Sequence, residues 1–296
     1  MMNAEELYAA CVQNLGLPSR LIHERDEVVG PVADWVSEQC EAPPFFLGVS
    51  GAQGSGKSTF CRLLSTWLEA KHGLRTVELS MDDVYLRRAD RLKLAESVHP
   101  LCAIRGVPGT HDVPLTRTVL DALGSASNDS HTDVPRFDKR LDDRLPREKW
   151  DRFQGRPDVV LFEGWCMGVT VPQPSEQPTN AREARDDPDG IWRQWSDDAL
   201  RNDYDPLFDR MDAMLMIQVP SMDTVRAGRW KQEQALWVTG AGPGPGRMTQ
   251  AEVNDFVDLF ERHTRHILAT LPDVADILIR RGEDLGHTLV RLPERR

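Results

Sequence analysis

Residues 51–58 read Gly-Ala-Gln-Gly-Ser-Gly-Lys-Ser and satisfy the spacing G-x-x-x-x-G-K-[S/T] in full. Glycines at this spacing let successive backbone N–H groups curl round an anion. A helix beginning just after them adds positive potential. In such a loop Lys57 reaches the β- and γ-phosphates of a nucleotide and Ser58 ligates Mg²⁺. The nucleotide-binding stretch is therefore expected to comprise Gly51, Ala52, Gln53, Gly54, Ser55, Gly56, Lys57, Ser58 and Thr59. This identifies a phosphate donor and leaves the acceptor open.

Two carboxylate positions could complete the chemistry. "VVLFEG" is an apolar run ending in Glu163. A carboxylate at the carboxyl edge of a parallel sheet stands where ligands collect, so Glu163 is read as a Mg²⁺ ligand rather than a strand-terminal acid facing solvent. "LSMDDVYL" places Asp82 and Asp83 just past a second strand, read at Thr76 to Ser80. An acid there could take the proton of an attacking hydroxyl, or it could simply cap a helix, and the residues alone leave both open.

Other P-loop chemistries are disfavoured. No N-K-x-D guanine reader occurs, and the D-x-x-G at residues 187–190 lies in polar "RDDPDGIW" without a preceding strand, which reads as a turn. His99 and His111 lack a metal-ligand constellation and are expected to be structural or substrate-facing. A net charge of -11 with no cluster of Lys and Arg argues against nucleic acid. The basic residues at 291–296 are too short a run to change this. Five cysteines without C-x-x-C spacing imply reduced thiols and a cytoplasmic protein. The opening "MMNAEELYAA" has no signal-peptide pattern, and no apolar run is long enough for a membrane helix.

The elements that must position these groups follow from the hydrophobic pattern. "FFLGVS" reads as a buried strand running into the loop, and Phe60, Leu63, Leu64, Trp67 and Leu68 recur at helical spacing up to a stop at Gly73. Strands are predicted at 76–80, 159–162, 213–219 and 275–279, separated by long stretches. That alternation gives an α/β fold with a mainly parallel sheet flanked by helices. Thr249 and Glu252 have capping-box spacing ahead of one helix burying Val253, Phe256, Val257, Phe260 and Ile267. Residues 1–44 read as a helical extension, with Val29, Val32, Trp35 and Val36 on one face, and residues 45–296 as the main domain. Residues 124–135 read as a polar loop, and "TGAGPGPGR" as the hinge of a mobile lid spanning about 222–248.

Taken together, "GAQGSGKST", "LSMDDVYL", "HPLCAIRGVPGTHD", "PRFDKRLDDR", "LFEGWCMG", "DDPDGIWR" and "RWKQEQ" resemble the D-glycerate 3-kinase family. That family lies in the uridine kinase and phosphoribulokinase group of P-loop kinases, and the resemblance covers about residues 45–280. It implies ATP- and Mg²⁺-dependent transfer to a small hydroxy acid, with no protein partner predictable. It implies that Asp82 is the general base, in the frame "DDVY" where Val84 replaces an aromatic residue. Insertions at about 99–150 are implied to bind the acceptor. There Asp112 of "GTHD" matches a residue that holds sugar hydroxyls in relatives, and Asp138 and Lys139 fall in a segment that contacts the acceptor. In that segment Phe137 replaces Tyr and Asp142 replaces His, which weakens a nucleoside acceptor. Arg105 and Arg144, in the two acceptor segments, are expected to bind its carboxylate. Arg226 and Arg229 fall where relatives carry lid arginines. The alternatives are a nucleoside or pantothenate-type kinase of this fold, or an ATP-binding regulator with little turnover.

Overall fold

The computed structural model describes residues 2–173, 177–238, 248–282 and 286–294. Helices α1 (Ala4–Asn14), α2 (Arg20–Glu24) and α3 (Gly30–Gln39) precede strand β1 (Phe45–Gly51). Then come α4 (Lys57–His72), β2 (Thr76–Ser80), α5 (Arg88–Ser97) and α6 (Val113–Gly124). Four short strands follow: β3 (His131–Val134), β4 (Phe137–Asp138), β5 (Asp143–Arg144) and β6 (Asp151–Gln154). The chain continues through β7 (Val159–Gly164), α7 (Ala181–Asp186), α8 (Ile191–Ala199), α9 (Asp205–Phe208) and β8 (Ala213–Gln218). It closes with α10 (Met222–Val238), α11 (Gln250–Asp258), α12 (Glu261–Val274), β9 (Ile277–Arg281) and β10 (His287–Arg291).

The main sheet has the order β10-β9-β8-β1-β7-β2, parallel throughout except for β10, which runs antiparallel to β9. Helices cover both faces, as a parallel sheet requires. Because β1 lies between β7 and β8, the chain ends leaving β1, β7 and β2 emerge side by side. Ser50 is level with Gly164, and Ser80 with Glu163. Strand order thus brings three segments remote in sequence to one edge.

One face buries Phe60, Leu64, Trp67 and Leu68 of α4 against Tyr8, Val12, Val32, Trp35 and Val36. Residues 1–44 therefore contribute to the same core as β1. Helix α4 stops at Gly73 (φ 68°), whose N–H reaches the Glu69 carbonyl while the Leu74 N–H reaches Leu68. The left-handed glycine with its N–H on the carbonyl four residues back is an αL cap.

The structure departs from the sequence pattern in three places. Residues 124–135 include β3, paired antiparallel with β6. Its strand is short and polar, with only Thr132 and Val134 buried, so its periodicity is too brief to register. The strand expected at 275–279 begins at Ile277, because Ala275 caps α12 through its N–H to the Leu271 carbonyl. The helix opened by the Thr249–Glu252 capping box is interrupted between α11 and α12, where the Leu259 and Phe260 N–H groups bond only three residues back. That break turns Phe260 edge-on to Trp165, at 5.1 Å and 87°. The hinge sequence at 239–247 lies outside the described residues.

Candidate active site

The phosphate loop leaves β1 and enters α4 through Gly54 (φ 74°) and Gly56 (φ 91°), both left-handed, a conformation costly for any residue with a Cβ. A Cβ on Gly54 would also lie 2.8 Å from the backbone of Gly228 in α10, so glycine lets loop and helix close on each other. The Lys57 ammonium donates to the Ala52 carbonyl at 3.4 Å and faces the cavity. Arg281, at the end of β9, donates to the Gly54 carbonyl and braces the loop from behind.

Glu163 is buried, and its Oε1 accepts from Ser58 Oγ (2.7 Å) and Ser80 Oγ (2.9 Å). Among the described residues no Lys, Arg or His forms an ion pair with it, and its side-chain hydrogen bonds come from these two hydroxyls. Hard oxygen donors of this kind fit Mg²⁺, which takes one or two protein ligands and completes its shell with phosphates and water. No group of three or more His, Cys, Asp or Glu suited to a metal occurs among the described residues.

Asp82 and Asp83 sit in a turn after β2 and face different surroundings. Asp82 Oδ1 accepts from the Tyr85 hydroxyl (2.8 Å), and Oδ2 pairs with the Lys139 ammonium (2.6 Å). Burial pushes its carboxyl up, but the charge and hydrogen bond of Lys139, with Tyr85, outweigh that and hold it well below the usual carboxylate range. Asp83 instead accepts from the Phe137 N–H (3.1 Å) and Arg136 (3.0 Å), tying down the β4–β5 hairpin. Burial raises its carboxyl despite Arg136.

Tyr85 is itself fixed by packing. His111 stacks on its ring (4.4 Å, 24°), and His111 Nδ1 lies 2.7 Å from the Tyr204 hydroxyl. Burial lowers His111 to about 3, so it stays neutral and structural. His99 accepts from the Leu101 N–H and begins a turn.

A cavity of ≈ 430 Å³ joins these parts. Of the residues expected from sequence, Gln53, Gly54, Lys57, Ser58, Asp82, Arg105, Lys139, Glu163 and Arg229 line it. Arg105 lies over the Phe137 ring (5.5 Å) and pairs with Asp142. Arg229 lies over Phe256 (5.6 Å) and pairs with Glu233.

Four expected residues are turned elsewhere. Arg144 pairs with Asp112 at 2.7 Å, and Asp112 also caps α6 by accepting from the Leu115 N–H. Asp138 accepts from the Arg140 and Leu141 N–H groups within its own turn. Arg226 is held by Asp258 (2.9 Å) and Glu261 (3.0 Å). In each case a nearby opposite charge or backbone donor supplies a closer partner than the cavity does.

Tyr85, Trp165, Gln232, Phe256 and Phe260 complete the wall. Phe256 and Phe260 carried only a burial signal, and no local pattern marks Trp165 as facing a ligand. The D-x-x-G turn at 187–190 is structural: the buried Asp187 carboxylate accepts from the Trp192 and Arg193 N–H groups and opens α8.

A phosphate loop, a buried carboxylate held by two hydroxyls beside it and a cavity-facing carboxylate at the carboxyl edge of a parallel sheet define a P-loop small-molecule kinase. Comparison with known proteins agrees. The uncharacterized kinase mug58 of Schizosaccharomyces pombe is 34% identical over 209 residues, covering 66% of this chain and 72% of that protein. The chloroplastic D-glycerate 3-kinase of Arabidopsis thaliana is 28% identical over 238 residues, 78% of this chain but 49% of that protein. The chain thus spans about half the length of the chloroplast relative. The structure of D-glycerate 3-kinase from Cryptococcus neoformans superposes with a TM-score of 0.70 at 25% identity, covering 88% of this chain and 99% of that one. No family model matches. The chain belongs to the D-glycerate 3-kinase family of P-loop kinases.

Proposed function

We propose that the protein transfers the γ-phosphoryl group of ATP to a hydroxyl of D-glycerate, giving 3-phosphoglycerate. The observation that carries this reading is one cavity in which Lys57 and Asp82 are accompanied by three further cations, Arg105 and Lys139 beside Asp82 and Arg229 on α10. A small acid offers little apolar area, so its affinity must come from charge and hydrogen bonds, which those cations supply.

Lys57 and Arg229 would neutralise phosphate charge. Ser58 and Glu163 would hold Mg²⁺, which would supply charge neutralisation for phosphoryl transfer. Asp82 would orient the acceptor hydroxyl and receive its proton. Arg105 and Lys139 would bind the carboxylate. Arg144, Asp112 and Asp138 would then shape the acceptor loops, and Arg226 would fix α10 so that Arg229 faces the phosphates. Residues 99–150 would form the acceptor module, residues 222–248 the lid and residues 1–44 a helical extension sharing the core. No described helix is long and apolar enough to cross a membrane, and a cytoplasmic setting with reduced thiols is the reading from sequence.

The test is acceptor-dependent ADP release across hydroxy acids, neutral polyols, nucleosides and pantothenate, with ³¹P NMR locating the new ester. D-Glycerate should give the highest kcat/KM. A preference for a nucleoside, or phosphate release independent of any acceptor, would overturn the assignment.

A further inference from the structure

Both oxygens of Asp82 are already engaged, Oδ1 by Tyr85 and Oδ2 by Lys139. An acceptor hydroxyl must reach one of them to deliver its proton. Tyr85 cannot withdraw easily, being buried and stacked on His111. Lys139 can. Its side chain is 61% exposed, it rides on the turn of the β4–β5 hairpin, and its contact with Asp82 is a single-point ion pair. It also lies between two cavities, lining the catalytic one and a neighbouring cavity of ≈ 330 Å³ that shares Ser58, Asp82 and Glu163.

Arg105, the other cation on the acceptor side, is the fixed one. It lies over Phe137 and pairs with Asp142, the one non-glycine residue with positive φ (54°) among those described. Asp142 is clamped in turn by the buried Arg91, through its carbonyl (2.7 Å) and carboxylate (3.0 Å). A strained residue held by two arginines is over-determined, and it anchors the turn that carries Lys139.

Resting on the acid-acceptor reading above, we propose that Lys139 is the specificity-determining residue that couples acceptor charge to the base: the acceptor carboxylate draws Lys139 off Asp82 and so exposes the carboxylate. The exchange is nearly balanced, because one partly exposed ion pair is given up and a similar one replaces it. The carboxyl carbon of glycerate lies two bonds from the carbon bearing its 3-hydroxyl. A molecule of that size can touch Lys139 and Asp82 together. With Lys139 gone, the main influence holding the Asp82 carboxyl low is removed.

The hydroxyl oxygen then attacks the γ-phosphorus of ATP and the bond to the β–γ bridging oxygen breaks. ADP leaves with that electron pair, and the hydroxyl proton passes to Asp82. Water and neutral alcohols have no carboxylate to displace Lys139, so the base stays covered against them.

The experiment compares full-length wild type, Lys139→Met and Lys139→Arg. It measures ATP hydrolysis without acceptor, kcat/KM for glycerate and for glycerol, and KM for ATP. Lys139→Met should raise acceptor-independent hydrolysis about 10-fold or more. It should also cut the glycerate-over-glycerol preference by about 10- to 100-fold, the worth of a charged hydrogen bond. Lys139→Arg should restore both values, which a merely structural role would not require. If wild type uses glycerate but Lys139→Met changes neither hydrolysis nor preference, the coupling is wrong and the acceptor reading stands. A raised KM for ATP with unchanged KM for glycerate also overturns it, because Lys139 then serves the nucleotide. If wild type uses only neutral acceptors, the acceptor reading falls and takes the coupling with it.

Discussion

Neighbouring aspartates with different surroundings allow a sharp test. Asp82 faces the cavity, whereas Asp83 holds the β4–β5 hairpin through the Phe137 N–H and Arg136. Replacing each by Asn keeps shape and removes charge. In Asp82→Asn the Tyr85 hydroxyl can still donate to the amide oxygen, and the lost pair with Lys139 is partly exposed (39% and 61%), so stability changes by about 0–1 kcal/mol. The group can no longer accept the hydroxyl proton, which costs about 10²- to 10⁴-fold in kcat. In Asp83→Asn the balance reverses. Asn can keep the Phe137 contact but loses the charged bond to Arg136, which lies on a less exposed pair (22% and 29%). A loss of about 1 kcal/mol follows, equivalent to a Tm drop on the order of 2–4 °C, with kcat within a few-fold of wild type. Steady-state kinetics at saturating ATP and acceptor, paired with thermal melts, would resolve the two signatures. Equal kcat losses, or a larger loss in Asp83→Asn, would show that the base has been misassigned.

Other expectations follow from the same contacts. Lys57→Ala should remove nearly all transfer while leaving the melt unchanged, since Lys57 makes one backbone contact, at 3.4 Å, and no packing contribution is asked of it. Arg105→Lys should raise KM for glycerate and leave KM for ATP unchanged, because lysine keeps charge but loses the planar fork. Arg144→Lys should instead lower Tm with little effect on either KM, because its partner is Asp112 at the start of α6. Glu163→Gln should weaken Mg²⁺-dependent ATP affinity about 10- to 100-fold, read by calorimetry, and leave Mg²⁺-free binding unchanged. His111 supplies a pH prediction. Its folded pKa, near 3, lies below the unfolded value of about 6.5, so the unfolded state binds the proton more readily. The contribution is therefore present above about pH 6.5 and is lost as pH falls, at roughly 1.4 kcal/mol per unit. The slope of stability between pH 6.5 and 4.5 should shrink in His111→Gln, and an unchanged slope would refute the assignment.

The sequence alone determined the donor half of the site, because each signal there is local. The phosphate loop, its strand and its helix are contiguous, so "FFLGVSGAQGSGKSTF" carries its own geometry. The start of the strand at 159 was legible because a strand buried on both faces reads as a continuous apolar run, and the edge strand at 76–80 because Val77 and Leu79 alternate with polar residues. The Thr249–Glu252 cap was legible because a capping box spans four residues. What only the tertiary structure decided is which charges meet. Arg105, Arg144 and Lys139 look equivalent as cations in acceptor-side segments, yet Arg144 finds Asp112, Arg105 finds Asp142 and Lys139 finds Asp82, 57 positions away. Ion-pair choice depends on distances of a few ångströms between remote segments, and no periodicity encodes that. The aromatic wall is of the same kind. Trp165 and Phe260 pack together only because β7 ends beside the break between α11 and α12, a neighbourhood set by strand order and helix packing.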